Sequence, residues 1–275
     1  MADPVPSPGR RLTRPSKTGR EVARRVRQHR YLIAKSFAIR AGRPLVGSPY
    51  AEVVSSSVPL ASGRSADVFA LDAHRVLRRY RDGGDATPEA MVMRYVGDHG
   101  FPVPAVYAAD GTDLVMERVD GPTMLVALAN GGIGMDEAAV MLAELHGQLH
   151  ALPARLSTDP RVRILHLDLH PDNVIVSTRG PVAIDWRNTA EGAPDLDVAL
   201  TALIIAQVVV DESQGLAALA DAFLTTFLAC ADTPCPGSVG EALALRAADP
   251  NLTPRESEQI DLAAAEVRSR LARYS

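Results

Sequence analysis

One stretch limits what this chain can fold into more than any other: His166–Trp186, which reads HLDLHPDNVIVSTRGPVAIDW. Within it, Val174–Val176 and Val182–Ile184 are short apolar, β-branched runs separated by Thr178-Arg179-Gly180. Such runs around a Gly-containing turn are a hairpin signal. Closing the hairpin carries Asp185 back beside Asn173, so that a carboxylate and an amide oxygen meet at one end of it. Hard divalent cations such as Mg²⁺ take oxygen ligands of this kind and complete their shell with phosphate oxygens. Asp168, five positions before Asn173, is left free to take a proton from a hydroxyl nucleophile. The residue set predicts a phosphoryl-transfer site.

The same residues resemble the Brenner-type loop of the aminoglycoside phosphotransferase and choline kinase-like family, usually written H-G-D-x-H-x-x-N and followed by an I-D-W/F segment. His166, Asp168, His170, Asn173 and Asp185 match it. The Asp–Asn spacing is also that of a kinase catalytic loop. Leu167 stands where the family usually has Gly, so the backbone there works without the residue that tolerates left-handed conformations. The resemblance implies a catalytic group of Asp168, His166 and His170, with Asn173 and Asp185 as Mg²⁺ ligands. It also implies ATP or GTP as phosphoryl donor and a small hydroxylated molecule as acceptor.

Charge is unevenly spread. Residues 1–45 carry twelve Arg or Lys against two acids, although the whole chain has a net charge of −4. This predicts a basic N-terminal arm over residues 1–50 on an acidic body. Residues 1–20 are rich in Pro, Ser, Gly and Arg, a composition that does not support a packed core. Residues 21–41 could form a basic helix that touches nucleic acid or an anionic membrane. A solvated tail, or sequence upstream of the true start, is the preferred reading, because no groove-reading motif accompanies the helix. Two cysteines, Cys230 and Cys235, are too few for a disulfide scaffold and fit reduced thiols. The longest apolar run, Val198–Val210, is too short to span a bilayer. No secretory signal is visible. A cytoplasmic protein without a nucleic-acid partner is expected.

From Val54 onward the pattern is strand-like, with runs at Val58–Ala61, Ala66–Leu71 and Arg75–Arg79. A turn at Gly63-Arg64-Ser65 between two strands can lay backbone N–H groups over phosphates. Val76-Leu77-Arg78 stands where the family typically reads V-L-K, making Arg78 the candidate phosphate cation, with Arg79 as the alternative. Arg grips phosphate through a planar fork, whereas Lys is a point charge. Thr87-Pro88-Glu89 opens a helix, with Thr87 as expected cap and Met91, Tyr95 and Val96 as expected inner face. Glu89 is the candidate partner of the phosphate cation, as in a kinase. Strands are expected at Val103–Ala108 and Asp113–Arg118; the second, with Glu117, resembles the family's adenine-contacting hinge.

Beyond Gly121-Pro122 the chain turns helical. Asp136–Leu152 is amphipathic, with Val140, Leu142, Leu145 and Leu149 inward. It carries His146 and His150 four apart, read as packing groups because no H-E-x-x-H pattern surrounds them. Asp197 matches an Asp of the family that braces the catalytic loop. Helices are expected at Leu196–Val210, Gln214–Ala229 and Thr253–Leu271, the last with a capping box at Thr253 and Glu256.

The resemblance, over about Val54 to Leu203, implies an α+β, two-lobed, protein-kinase-like fold. Its small antiparallel N-lobe, residues 51–120, carries one helix, and a larger mainly helical lobe covers 121–275. The expected activity is a small-molecule kinase with an aminoglycoside-like acceptor favoured, since Glu191, Asp195, Asp211, Glu212 and Asp221 could attract a polycation. Alternatives are a kinase of another small metabolite, a catalytically weak nucleotide-binding scaffold of pseudokinase type, and a nucleic-acid adaptor working through the arm. The departures at Arg78, Leu167 and the single-glycine phosphate turn motivate the scaffold.

Overall fold

The computed structural model describes residue 50 and residues 58–211, 216–232 and 234–273. The basic arm, apart from Tyr50, lies outside the described residues, as does Glu212.

The first lobe is built on strands β1 (Ala61–Ser62), β2 (Ala66–Ala70), β3 (Arg75–Tyr80), β4 (Val106–Asp110) and β5 (Asp113–Glu117). They form one antiparallel sheet in the order β1-β2-β3-β5-β4. Side chains alternate across a strand, and on β3 this decides which arginine serves the interior. Val76 and Tyr80 enter the main core with Arg78 on the same face, while Leu77 packs with Phe69 and Val115 on the other. Arg79 therefore points away and pairs with its cross-strand neighbour Asp113. β1 is shorter than the expected run at Val58–Ala61, and Val58 is exposed. β4 starts later than expected because Pro102 and Pro104 have no N–H for a ladder.

Helix α1 (Thr87–Asp98) packs under this sheet. Its cap is Ala86, not Thr87, and the Asp85 carboxylate accepts the Thr87 N–H at 2.9 Å. The inner face is Glu89, Ala90, Val92, Met93 and Val96, so Met91 and Tyr95 lie towards its margin. Glu89 thereby faces Arg78.

The chain crosses to the second lobe at Gly121. Its φ is +146°, and a Cβ there would lie 2.3 Å from the Val176 carbonyl oxygen, which only glycine avoids. The helices that follow are α2 (Met124–Ala129), α3 (Met135–Ala151), α4 (Pro194–Val209), α5 (Ala217–Cys230), α6 (Pro236–Ala247) and α7 (Pro254–Leu271). Val140 of α3 is exposed rather than inward; Ala138, Ala139, Leu142, Leu145, His146 and Leu149 form the buried face. α4 is mostly apolar and buried along most of its length, as suits the centre of a lobe, and α5, α6 and α7 pack on it. The capping box of α7 is formed by Thr253 and Glu256. The whole is the two-lobed α+β arrangement that the resemblance implies. Among the described residues no helix is long and apolar enough to cross a membrane, and Cys230 and Cys235 are free thiols.

Candidate active site

The stretch His166–Trp186 folds as its pattern predicts. Strand β6 (Arg163–Leu165) leads into it, and strands β7 (Val174–Ser177) and β8 (Gly180–Ala183) pair in antiparallel register, with Val174 opposite Ala183 and Ser177 opposite Gly180. Beyond the last pair, the Ile184 N–H donates to the Asn173 carbonyl at 2.9 Å. Asp185 therefore leaves the hairpin beside Asn173. A single 3₁₀ turn, Pro171–Asn173, precedes β7 and is capped by His170, whose Nδ1 accepts the Asp172 N–H. Asn173 Nδ2 donates to the Asp168 carbonyl at 2.9 Å, which leaves Oδ1 as the acceptor end of the amide. Asp185 has left-handed backbone, φ 65° and ψ 64°, a conformation Asp tolerates better than most residues.

Arg78 joins the lobes. Its Nη1 donates to Glu89 and its Nη2 to Asp185. Burial works against its charge, but Glu89 and Asp185 more than compensate and raise its pKa. The Arg78 charge in turn keeps the Asp185 carboxyl low against its own burial. Glu89 is further fixed by the Tyr80 hydroxyl and the Trp186 N–H. A planar fork presents one terminal nitrogen to each carboxylate in this way.

Asp168 sits in the loop with Asn188 Nδ2 at 3.4 Å from Oδ2 and His170 Nε2 at 3.6 Å from Oδ1. Burial, then the negative charge of Asp185, push its pKa up to about 7, with Arg246 pulling the other way. Burial also brings His170 down to about 4, so its imidazole is neutral at pH 7. His166, expected in the catalytic group, is sealed from solvent. Its Nε2 donates to the Ile184 carbonyl at 3.1 Å, and its ring lies 4.7 Å from Trp186. Its place is behind the loop, where it positions the chain leading to Asp185.

Asp197 of α4 holds that loop from below. Its Oδ1 accepts the Leu167 N–H at 2.7 Å, and Oδ2 accepts the His166 N–H at 2.9 Å and His150 Nε2 at 3.1 Å. Leu167 has φ 59°, so the missing glycine of the motif is met by a leucine in glycine's conformation. Left-handed backbone costs a leucine roughly 1–2 kcal/mol. Its side chain is buried, and losing such a side chain costs about 2–5 kcal/mol. Leu167→Gly is therefore expected to destabilise the fold by about 1–3 kcal/mol despite relieving strain. Denaturant unfolding checks this, and a stabilised variant would show that strain dominates.

His146 and His150 do acquire a third polar neighbour. Among the described residues, their ligand-type atoms and that of Asp197 lie within 4.8 Å of one another. The His150–Asp197 hydrogen bond, and the contact of His146 Nε2 with Thr201 Oγ1 at 3.1 Å, make this a brace under the loop. Burial lowers the His146 pKa to about 4.

The remaining expected residues are dispersed around the cleft. The Gly63-Arg64-Ser65 turn lies between β1 and β2, closed by the Gly63 N–H to the Ala66 carbonyl at 2.9 Å. Arg81 donates to the Gly63 and Arg64 carbonyls. The Arg64 side chain reaches the second lobe, pairing with Glu256 at 2.6 Å and donating to the Asn251 carbonyl at 3.2 Å. Glu117 is occupied: its carboxylate takes Arg179 at 2.7 and 2.9 Å, and its N–H donates to the Ala105 carbonyl. Its carboxylate and N–H are thus both engaged within the protein. The acids offered for a polycation are also engaged. Glu191 accepts the N–H groups of Arg155, Leu156 and Ser157; Asp195 accepts that of Cys235; Asp211 pairs with Arg255 and Asp221 with Arg270. A surface cavity of about 600 Å³ lies between α3 and Arg179–Pro181, away from Asp168.

Sequence reasoning missed Asn188, Tyr80 and Arg246. All three lie outside the stretch His166–Trp186, and only the period of β3 could have placed Tyr80 beside Glu89.

The family model described as APH, phosphotransferase enzyme family, matches residues 57–160 and 136–234. No curated protein matches the sequence. Among solved structures, a streptomycin–ATP complex of APH(2'')-IIa is 15% identical, covering 83% of this chain and 97% of its own, with TM-score 0.49. The amicoumacin kinase hAmiN, solved with AMP-PNP, Ca²⁺ and Ami, is 12% identical over 91% of this chain and 96% of its own, TM-score 0.49. Aminoglycoside phosphotransferase APH(3'')-Id from Streptomyces rimosus is 17% identical over 66% of this chain and 88% of its own, TM-score 0.47.

Proposed function

The chain belongs to the phosphotransferase enzyme family, and on that premise we propose that it moves the γ-phosphoryl group of ATP or GTP to a hydroxyl of a small molecule. The observation that carries the reading is the meeting of Asp168, Asn173 and Asp185 at the open end of the β7–β8 hairpin, under Arg78. Asp168 orients the acceptor hydroxyl and takes its proton. Asn173 Oδ1 and the Asp185 carboxylate are an all-oxygen donor pair that fits Mg²⁺, and they would hold it. Such an ion neutralises charge on the donor phosphates. Arg78, fixed by Glu89, offers its fork to the same phosphates once a nucleotide competes with Asp185 for it. His170 and Asn173 shape the loop around Asp168. The transition state of phosphoryl transfer is loose and highly charged, so positioning and electrostatics carry most of the rate. A nucleotide donor, ATP or GTP, supports a cytoplasmic reaction.

A second reading, a nucleotide-binding scaffold with weak catalysis, is favoured by one observation: Arg78 and Arg64 are both tied to carboxylates. One experiment separates the two. Nucleotide binding is followed through Trp186, the one tryptophan of the chain, buried next to Asp185. ADP or GDP release is then measured with Mg²⁺ against aminoglycosides, macrolides, sugars, hydroxy amino acids and sugar phosphates. A kinase gives acceptor-stimulated release that chelation of Mg²⁺ abolishes. Binding without release under any acceptor supports the scaffold, and no binding of either nucleotide overturns both.

A further inference from the structure

His146 and His150 stand one helical turn apart on α3, and they meet Thr201 and Asp197, again one turn apart, on α4. The hydrogen bonds there assign the protons. The Thr201 hydroxyl donates its one proton to the Leu169 carbonyl at 2.8 Å. Its oxygen is then only an acceptor, so the hydrogen in its 3.1 Å contact with His146 belongs to Nε2 of the ring. A neutral imidazole protonated on Nε2 has a bare lone pair on Nδ1. That Nδ1 is buried, has no hydrogen-bond partner among the described residues, and lies 3.8 Å from Asp197 Oδ2.

Two electron-rich atoms thus face each other in a dry site, which costs free energy unless something positive or protic lies between them. A second proton on His146 is opposed by its burial. A third ligand-type atom converges on the same place. His150 Nε2 is 3.1 Å from Asp197 Oδ2, and the three atoms all lie within 4.8 Å of one another. An ion held at about 2.0–2.2 Å by imidazole and carboxylate needs neighbouring ligand atoms roughly 3.4 Å apart. The edges at 3.1 and 3.8 Å bracket that value. The surroundings match as well. Metal-bound imidazoles give their other N–H to an oxygen, and ligating carboxylates are themselves hydrogen-bonded. Thr201 takes the His146 N–H, and the amides of His166 and Leu167 already hold Asp197.

We propose that His146 Nδ1, His150 Nε2 and Asp197 Oδ2 bind a divalent transition ion, Zn²⁺ in the first place, as a structural centre beneath the catalytic loop. Two imidazoles and one carboxylate suit Zn²⁺ rather than Mg²⁺, which prefers the all-oxygen pair of Asn173 and Asp185. On binding, His150 exchanges its hydrogen bond to Asp197 for the metal, and its proton moves to Nδ1, which no described residue engages. His150 also lines a surface cavity of about 450 Å³ with Gly147, Arg163 and Pro194. That cavity is a route for the ion and for water as a fourth ligand. The ion joins α3 to α4 and, through Asp197, to the backbone of His166 and Leu167. The inference goes beyond the phosphoryl-transfer reading and does not depend on it.

The test uses the full chain carrying Cys230→Ser and Cys235→Ser, which removes the exposed thiols as competing Zn²⁺ ligands. Excess Mg²⁺ fills the oxygen site. After chelation and addition of Zn²⁺, one equivalent is expected to stay with the protein on desalting. Tm should rise by about 5–10 °C at free Zn²⁺ a hundredfold above Kd. His146→Gln keeps an amide N–H for Thr201 but offers no imidazole nitrogen, and should lose both the equivalent and the Tm rise. Thr201→Val leaves all three ligands and removes only the oxygen that orients His146, so Zn²⁺ affinity should fall about 10- to 100-fold. Co²⁺, a second probe, should give the intense visible bands of a four-coordinate ion. If His146→Gln does not fold, Thr201→Val and the Co²⁺ spectrum decide alone. No stoichiometric Zn²⁺, binding that survives His146→Gln, or an octahedral Co²⁺ spectrum overturns the proposal and leaves a hydrogen-bonded brace. Failure of the phosphotransferase reading is distinct: no nucleotide release with any acceptor, while Zn²⁺ binding is untouched.

Discussion

Asp168→Asn is expected to reduce acceptor-dependent turnover by about 10²–10⁴-fold, the usual worth of a general base, with nucleotide affinity nearly unchanged. The pH profile gives the sharper check. Burial and the Asp185 charge raise the Asp168 pKa to about 7, so the base is ionised only above that value. For the wild type, kcat/KM should rise with pH through about 7 and then level off. The same shift fixes the sign of a stability effect. The folded carboxyl keeps a proton that the unfolded chain, with a pKa of 3.8, has released. Its contribution is complete below about pH 4 and is lost as pH rises through about 7. The neutral amide of Asn escapes that loss. Asp168→Asn should therefore melt above the wild type at pH 8, and the two should converge towards pH 4. An inactive variant with no stability gain at pH 8 would mean that Asp168 is solvated and ordinary. An active one would remove it from the role of base.

Much of this arrangement was legible in the sequence, for a physical reason. The motif is local, and a hairpin with a period of two brings Asn173 and Asp185 together whatever surrounds it. The alternation of β3 likewise aimed Arg78 inward and Arg79 outward. What escaped depends on distance along the chain. Arg64 reads as a phosphate-turn residue, yet it bonds Glu256, 192 positions away. Arg246 has no local pattern, since its partner Gln207 lies 39 positions away on α4. The buried faces of α1 and α3 differ from the expected ones at single positions such as Met91 and Val140. Periodicity fixes a stripe only to within a residue, and alanines shared the true faces. Leu167 is instructive in another way. Its mismatch to the family motif looked like a departure in geometry, but φ is 59° and the glycine conformation persists. Something must hold it there.

Asp197 is the group that does so, and Asp197→Ala should be among the most damaging single changes in the second lobe. The carboxylate is fully buried and takes two backbone N–H groups and an imidazole N–H. Removing it orphans the amides of His166 and Leu167 in a dry site, at about 1–3 kcal/mol for each buried donor. It also frees Leu167 to relax from left-handed backbone, which pulls the loop out of shape. The loss is expected to be about 3–5 kcal/mol, the range for breaking a buried charged group from its partners. Denaturant unfolding measures it, and hydrogen exchange at the His166 and Leu167 amides should rise by more than global unfolding explains. The acid limb has a definite sign. Burial alone would raise the Asp197 pKa, but the His150 hydrogen bond and the nearby histidines hold it well below the usual carboxylate range. Its contribution is therefore present above about pH 4 and is lost only as pH falls through that depressed value. Wild type and Asp197→Ala should differ most near neutrality and approach each other only in strong acid. Asp197→Asn keeps one accepting oxygen for Leu167 but turns an N–H₂ towards the His166 N–H or His150, so it should recover stability only in part. If Asp197→Ala costs less than about 1 kcal/mol and turnover survives, the loop is held by its hairpin alone. The strained leucine would then have no structural keeper, and Asp168 would owe its placement to β7 and β8.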